Sequence, residues 1–417
     1  MARIRKSNFT SEPIFKRELI MKIFLFLVGI ILLMGAEVAR VYYIMPFPGS
    51  QVDQVIDLAY FIQKYIWIFR LVGITLIAYP AFDFIVGANP YYKWTAASLL
   101  AFWVIVVYAF NFRFLADKMF YQPESIVLLT KDSSKINLNQ LIIGILINGQ
   151  SKAYPIEIIG YHHQVRDTLA GKELMITYCT VCRTGRVYLP LVDGKPETFR
   201  LVGMDHYNAM FEDATTKSWW RQVNGEAVVG PSKGKRLPEI FSEQMTLKAW
   251  LNRYPNSLIL QPDPKFKDEY EILTKFDEGK MEGRLEGRDT LSWKDKSWVV
   301  GVPVGLYAKA YDWNDLLERR VINDRVNGRP VLVAIESDSA SFHSWLPIIK
   351  SDTLKFMYSD SLRLLIDIQS NSIWNWKGEC ETGKYSGSKL ESVQSYQEFW
   401  HSWKTFHPNT DSLKIKM

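Results

Sequence analysis

Leu174-Met-Ile-Thr-Tyr178-Cys179-Thr-Val-Cys182-Arg-Thr-Gly185-Arg-Val-Tyr188 is an apolar, β-prone run interrupted by two thiols at C-x-x-C spacing and then resumed. Only Arg183, Thr184 and Gly185 separate Cys182 from the second β-prone run, which starts at Arg186. So short a gap cannot hold a helix, and the spacing predicts a β-hairpin whose turn carries both sulfurs.

Working outward, this hairpin sits inside a pattern that occurs twice. Ile143-Gly144-Ile145 and Lys152-Ala153-Tyr154 recur at one ungapped offset as Val300-Gly301-Val302 and Lys309-Ala310-Tyr311. Asp167 aligns with Asp324, Gly171 with Gly328, Leu189-Pro190 with Leu346-Pro347 and Phe199 with Phe356. At a second constant offset Gly225-Glu226 matches Gly378-Glu379, Trp250 matches Trp403 and Pro255-Asn256 matches Pro408-Asn409. Order kept over so many positions reads as a tandem duplication. The expected units are 118–262 and 296–417, joined by a charged, Gly-interrupted linker over 263–295 with little order of its own.

Each unit is expected to hold a strand (Leu141–Ile147 in the first), a short helix near Ile156–Gly160 and the central hairpin. A Trp- and Gly-rich segment and an amphipathic helix (Ser242–Tyr254; Ser395–Phe406) complete it. The repeat also acts as an internal control. The positions aligned with Cys179 and Cys182 are Glu336 and Ser339, so the hairpin can be built without thiols.

Ahead of the repeat lie three apolar runs, at about 19–38, 66–85 and 94–112. Each has the length that an α-helix needs to cross the hydrocarbon core, and none shows a polar face at helical spacing. They are read as retained transmembrane spans, since two more runs follow the first too closely for a cleaved signal. Arg70 lies about one turn inside the second run. Snorkelling is the expected reading of it and of Asp83 near the far end; the alternative is that Arg70 pairs with Glu37, because both fall near the same bilayer face. Arg3, Arg5, Lys6, Lys16, Arg17 and Lys22 place the tail 1–18 in the cytoplasm by the positive-inside tendency. Three crossings then put the rest outside, in the periplasm or at the cell exterior of a bacterium.

The chain has 417 residues, 48% hydrophobic and 14% aromatic, with a formal charge of +6. Much of that excess sits at the termini, so no concentrated basic face points to nucleic acid. Three cysteines (179, 182, 380) exclude a disulfide-dense scaffold. No P-loop, Rossmann glycine pattern, G-x-S-x-G elbow or H-E-x-x-H is present.

From Ala153 to Pro255 the chain resembles a bacterial family of unknown function, DUF3179. The family's pattern has "AYP", a His before "ND-x-V-x-G", "V-T-Y-C-P-L-C-G", "S-L-W-S-Q-x-x-G-E-A" and a Trp before "H-P-D-T". Here these are Ala153-Tyr154-Pro155, His162, Asp167-Thr-Leu-Ala-Gly171 and Ile176-Thr-Tyr-Cys179-Thr-Val-Cys182. Ser218-Trp-Trp-Arg-Gln-Val-Asn-Gly225-Glu226-Ala227 follows, then Trp250 before Tyr254-Pro255-Asn256-Ser257. Thr180, Arg183 and Arg166 stand where the pattern has Pro, Gly and Asn. The resemblance implies membership and no particular activity; it favours His162 over His163 as a ligand or proton shuttle.

Three readings of Cys179 and Cys182 remain open. As metal ligands they need partners, of which His162, His163, His206 and Met204 are nearest, a set that suits copper or zinc. As a dithiol/disulfide couple they fit an oxidising compartment, with flanking Arg183 and Arg186 favouring thiolates. They can also be structural. The tryptophans (219, 220, 250, 374, 376, 400, 403), because they recur across both expected units, are expected to pack rather than bind, and Glu226 and Glu379 to serve turns. The sequence thus predicts three transmembrane α-helices followed by a β-rich α+β extracytoplasmic domain built by duplication. Its partners are the lipid bilayer and an envelope redox or metal-handling protein. The alternative is a non-catalytic envelope protein that binds a ligand or partner and carries a structural CxxC.

Overall fold

The computed structural model describes residues 12–51 and 55–412; Arg3, Arg5 and Lys6, on which the expected orientation rests, lie outside them. The chain divides into two units, Met1–Met119 and Phe120–Met417.

The first unit consists chiefly of three helices, α1 (Glu12–Tyr42), α2 (Ile56–Val86) and α3 (Pro90–Phe112). All three are long and apolar enough to cross a membrane. All three overrun the expected spans, because helical hydrogen bonding does not stop where the apolar run stops. At the contact of α1 and α2 a side chain on Gly29 would collide with Ile77, and one on Gly73 with Leu33. Small residues of this kind let helices approach in lipid.

Of the two readings of Arg70 the alternative holds: it pairs with Glu37. Fully buried Glu37 accepts from Arg70 Nε at 2.6 Å, Arg40 Nε at 3.0 Å and Asn111 Nδ2 at 3.0 Å. One carboxylate therefore ties α1, α2 and α3 together. A second polar contact, Lys22 Nζ to Asp83 at 3.1 Å, joins α1 to α2 elsewhere.

The second unit is built from many small sheets. Leu141–Ile147 pairs with Gln150–Pro155 on one side and Glu243–Thr246 on the other, and Leu258–Leu260 adds in parallel. The same order recurs with Trp298–Val304, Tyr307–Asp312, Tyr396–Phe399 and, in parallel, Asp411–Ser412. Gln164–Leu169, Lys172–Cys179 and Thr184–Tyr188 form a three-stranded meander. Val321–Val326, Arg329–Ile335 and Phe342–Leu346 do likewise. Each is followed by a four-stranded sheet, starting at Phe199 in one case and Phe356 in the other.

Close packing fixes the two larger sheets in the same way. Gly144 and Gly301 have no room for a Cβ, because the rings of Trp250 and Trp403 lie directly on them. Both indoles are fully buried, as are Trp219, Trp220 and Trp374, so these tryptophans are core. Cys380 is buried too, at 4% exposure, beside Trp374.

Two expectations need correction. Ser242–Tyr254 and Ser395–Phe406 are not helices throughout. Each begins as a strand, Glu243–Thr246 or Tyr396–Phe399, and only then turns into the helix Leu247–Arg253 or Trp400–Phe406. Sheet hydrogen bonds to Leu141–Ile147 and Trp298–Val304 override the helical periodicity, and Thr246 caps the first helix through the Ala249 amide. The segment 263–295 is not a loose spacer either. Phe266, Tyr270 and Phe276 are buried in the core around Ile143, Tyr154 and Tyr178, and Asp277 accepts from the Leu141 amide at 2.8 Å. Its aromatic spacing, masked by the surrounding charges, carries that burial.

Candidate functional site

Cys179 ends the strand Lys172–Cys179 and pairs with Thr184 across the hairpin, so Cys182 lies in the turn as expected. The Arg183 amide closes that turn on the Thr180 carbonyl at 3.2 Å, with Arg183 at φ 55°. Both thiols are free and fully buried. Their sulfurs donate to one acceptor, the Tyr207 carbonyl, at 3.5 Å from Cys179 and 3.3 Å from Cys182.

Tyr207 is carried on the hairpin Phe199–Asp205/Asn208–Asp213, whose two-residue tip is His206-Tyr207. Both tip residues have positive φ, 50° and 64°, the backbone of a primed β-turn. Asn and Gly are the usual occupants there, so this tip holds a left-handed backbone at some cost.

The opposite wall comes from far along the chain. The Phe399 amide donates to the Cys182 carbonyl at 3.0 Å. Lys296 Nζ donates to the Val181 carbonyl at 2.7 Å, to Leu285 O and to His401 Nε2 at 3.3 Å. Ser402, on the helix Trp400–Phe406, donates to Glu398 Oε2 at 3.1 Å. Beside the dithiol opens a cleft of about 370 Å³ lined by Tyr207, Arg284, Leu285, Asp295, Lys296 and His401.

The two thiols are not equivalent. Burial by itself pushes Cys179 up. Hydrogen bonds from Cys182 and from the Ala209 and Cys182 amides outweigh it, helped by the Lys296 charge, and hold Cys179 below an ordinary thiol. Cys182 is pushed well up by burial and by the neighbouring Cys179. One proton is therefore easily lost, from Cys179, and the second is retained. Burial and the nearby Lys296 charge push His401 down to about 4, so it is neutral at pH 7 and can accept from the lysine.

The arginines expected to activate the thiols are used elsewhere. Arg183 donates to Gln397 Oε1 at 2.7 Å and Phe276 O at 3.1 Å, and stacks on Trp298. Arg186 is held by Glu398 and by Val223 O at 2.9 Å, under the Tyr396 ring. These acceptors turn both guanidinia away, and Lys296 is the cation that the sulfurs feel.

The histidines proposed from sequence are not gathered on the sulfurs. His162 is buried with both ring nitrogens engaged, Nδ1 with Tyr121 O and Nε2 with Tyr270 OH at 2.6 Å. His163 contacts Tyr161 O and the Phe120 ring. His206 adjoins Tyr207 in sequence, but its Nδ1 meets Asp205 at 2.6 Å. Among the described residues no group of three or more His, Cys, Asp or Glu is placed to hold a metal. Glu226 and Glu379 pair with Arg236 and Lys389 at 3.1 Å each, and each sits in an isolated β-bridge to that partner, just after a turn.

Tyr207, Lys296 and His401 escaped the sequence reading. His401 does carry a signal: the residue that falls opposite it at the second sequence offset is Lys248, a difference of the same kind as Glu336 and Ser339 opposite the thiols. Lys296 sits in a charged stretch with nothing to mark it.

A sequence model described as a protein of unknown function, DUF3179, matches residues 122–410. No curated protein and no solved structure matches the chain.

Proposed function

Given that this chain belongs to the DUF3179 family, whose description assigns no activity, we propose that Cys179 and Cys182 form a dithiol/disulfide couple. The observation that carries this is two free, buried sulfurs that share one acceptor, the Tyr207 carbonyl at 3.5 and 3.3 Å, beside a cleft edged by Lys296 and His401; the lowered Cys179 and raised Cys182 agree with it. A low-pKa first cysteine attacks and a retained second thiol resolves.

In the proposed reaction Cys179 thiolate attacks one sulfur of a disulfide R–S–S–R, whose S–S bond breaks. A mixed disulfide forms and RS⁻ leaves. Cys182 then gives up its proton and attacks Cys179 sulfur, expelling the second RS⁻. The protein gains the Cys179–Cys182 disulfide and loses two electrons, the substrate becomes two thiols, and the two cysteine protons end on them. A thiol-donating envelope partner would return the couple to its reduced state.

The proposal includes an outer unit in a periplasmic or extracellular space, anchored by α1–α3 with the N-terminus cytoplasmic. Supporting it are three membrane-length helices and the basic residues ahead of the first. It also treats 118–262 and 296–417 as copies of one unit, on the recurring strand order and the paired Gly–Trp contacts.

The test is thiol counting on the full-length protein in detergent, across a graded glutathione redox buffer. Cooperative loss of two thiols, abolished in Cys179→Ser and in Cys182→Ser, is expected. Two thiols that stay reduced at every poise, while the unfolded chain oxidises, would refute the couple.

A further inference from the structure

Resting on the dithiol reading, we infer that the cleft beside Cys179 and Cys182 selects small disulfides that carry negative charge. Its lining holds two cations, Lys296 and Arg284, and one carboxylate, Asp295. That carboxylate is already taken, with Oδ1 at 2.7 Å from Lys404 Nζ. Lys296 is held by two carbonyls, a neutral imidazole and the Phe399 ring at 4.4 Å, none of which cancels its charge. Glu286 feels the Lys296 charge, yet among the described residues no carboxylate is in ion-pair distance of Lys296 or Arg284. His401, neutral at pH 7, adds nothing to the balance.

A half-buried ammonium whose first charge partners are the sulfurs themselves, with no carboxylate in ion-pair distance among the described residues, attracts a further anion more strongly than an exposed one, because water screens it less. The Val181 carbonyl, between the two cysteines, accepts from that ammonium at 2.7 Å. An acidic group bound on Lys296 is thereby delivered next to the C-x-x-C turn, which shortens the search of its disulfide for Cys179. The volume, about 370 Å³, lies at the small end of ligand pockets and suits a compact molecule. The buried sulfurs require the His206-Tyr207 tip to move aside, and that tip is the strained element over them.

The test uses three aliphatic disulfides of similar size: dianionic dithiodipropionate, neutral bis(hydroxyethyl) disulfide and dicationic cystamine. Rates of Cys179–Cys182 oxidation on the full-length protein are read by intact mass after alkylation. Each is divided by the rate with the urea-unfolded protein, so that intrinsic reactivity cancels. The dianion is expected to lead the neutral compound by about tenfold, one power of ten in rate, and cystamine to lag both. High salt and the Lys296→Met/Arg284→Met variant should bring the ratios close to one. Ratios are compared within a variant, so a changed thiolate fraction cancels. Equal normalised rates, or a preference for cystamine, would overturn the inference and leave the couple standing. Failure of all three to oxidise the folded protein would overturn the couple and the inference with it.

Discussion

Replacing Lys296 by Met should raise the pH at which Cys179 becomes reactive. The ammonium donates to the Val181 carbonyl at 2.7 Å and is one of the groups holding Cys179 below an ordinary thiol. Its influence ranks behind the Cys182 hydrogen bond and the Ala209 and Cys182 amides. It should therefore supply only part of the one to three units that a close opposite charge can give. The sign is fixed: losing a cation destabilises the thiolate, the midpoint moves up, and the thiolate fraction at neutral pH falls by up to about tenfold.

The assay is the pH profile of iodoacetamide alkylation on the full-length protein with Cys380→Ser. Absolute rates also report how often the buried sulfurs are uncovered, whereas the midpoint reports the thiol itself. Lys296→Arg keeps the charge and should keep the midpoint. A midpoint that stays put or falls in Lys296→Met would refute the assignment of Lys296 as the activating cation.

Other outcomes follow from the packing and the buried charges. Trp403→Ala should cost about 3–5 kcal/mol in denaturant melts, the range for a fully buried large side chain, and Gly301→Ala should destabilise because the Trp403 ring occupies the Cβ position. Burial pushes Asp277 up to about 6. The folded state therefore binds a proton that the unfolded chain releases near pH 4, and stability falls as pH rises from about 4 to about 6. Asp277→Asn should flatten that slope in melts of the full chain across this range. Glu37→Ala leaves Arg40 buried without its carboxylate. About 3–5 kcal/mol of helix-bundle stability should be lost, read as earlier unfolding in a detergent titration, and Glu37→Leu/Arg40→Leu should recover much of it.

What the sequence determines by itself is everything that depends on local pattern. Membrane-length apolar runs and the C-x-x-C turn between two β-prone runs follow from spacing and polarity, and the structure contains each. Where tertiary hydrogen bonding competes with local preference, the sequence misleads: Glu243–Thr246 carries the start of a helical pattern and is a strand, because Leu141–Ile147 offers it a ladder. The surroundings of the sulfurs belong wholly to the tertiary structure. Arg183 and Arg186 are neighbours of Cys182 in the chain, yet Gln397 and Glu398 draw them off. Lys296, remote in sequence, is brought to Val181 by the packing of the second unit, Phe120–Met417. Charge acts through space and backbone direction decides which charges face one another, so the chemistry of a thiol cannot be read from its chain neighbours.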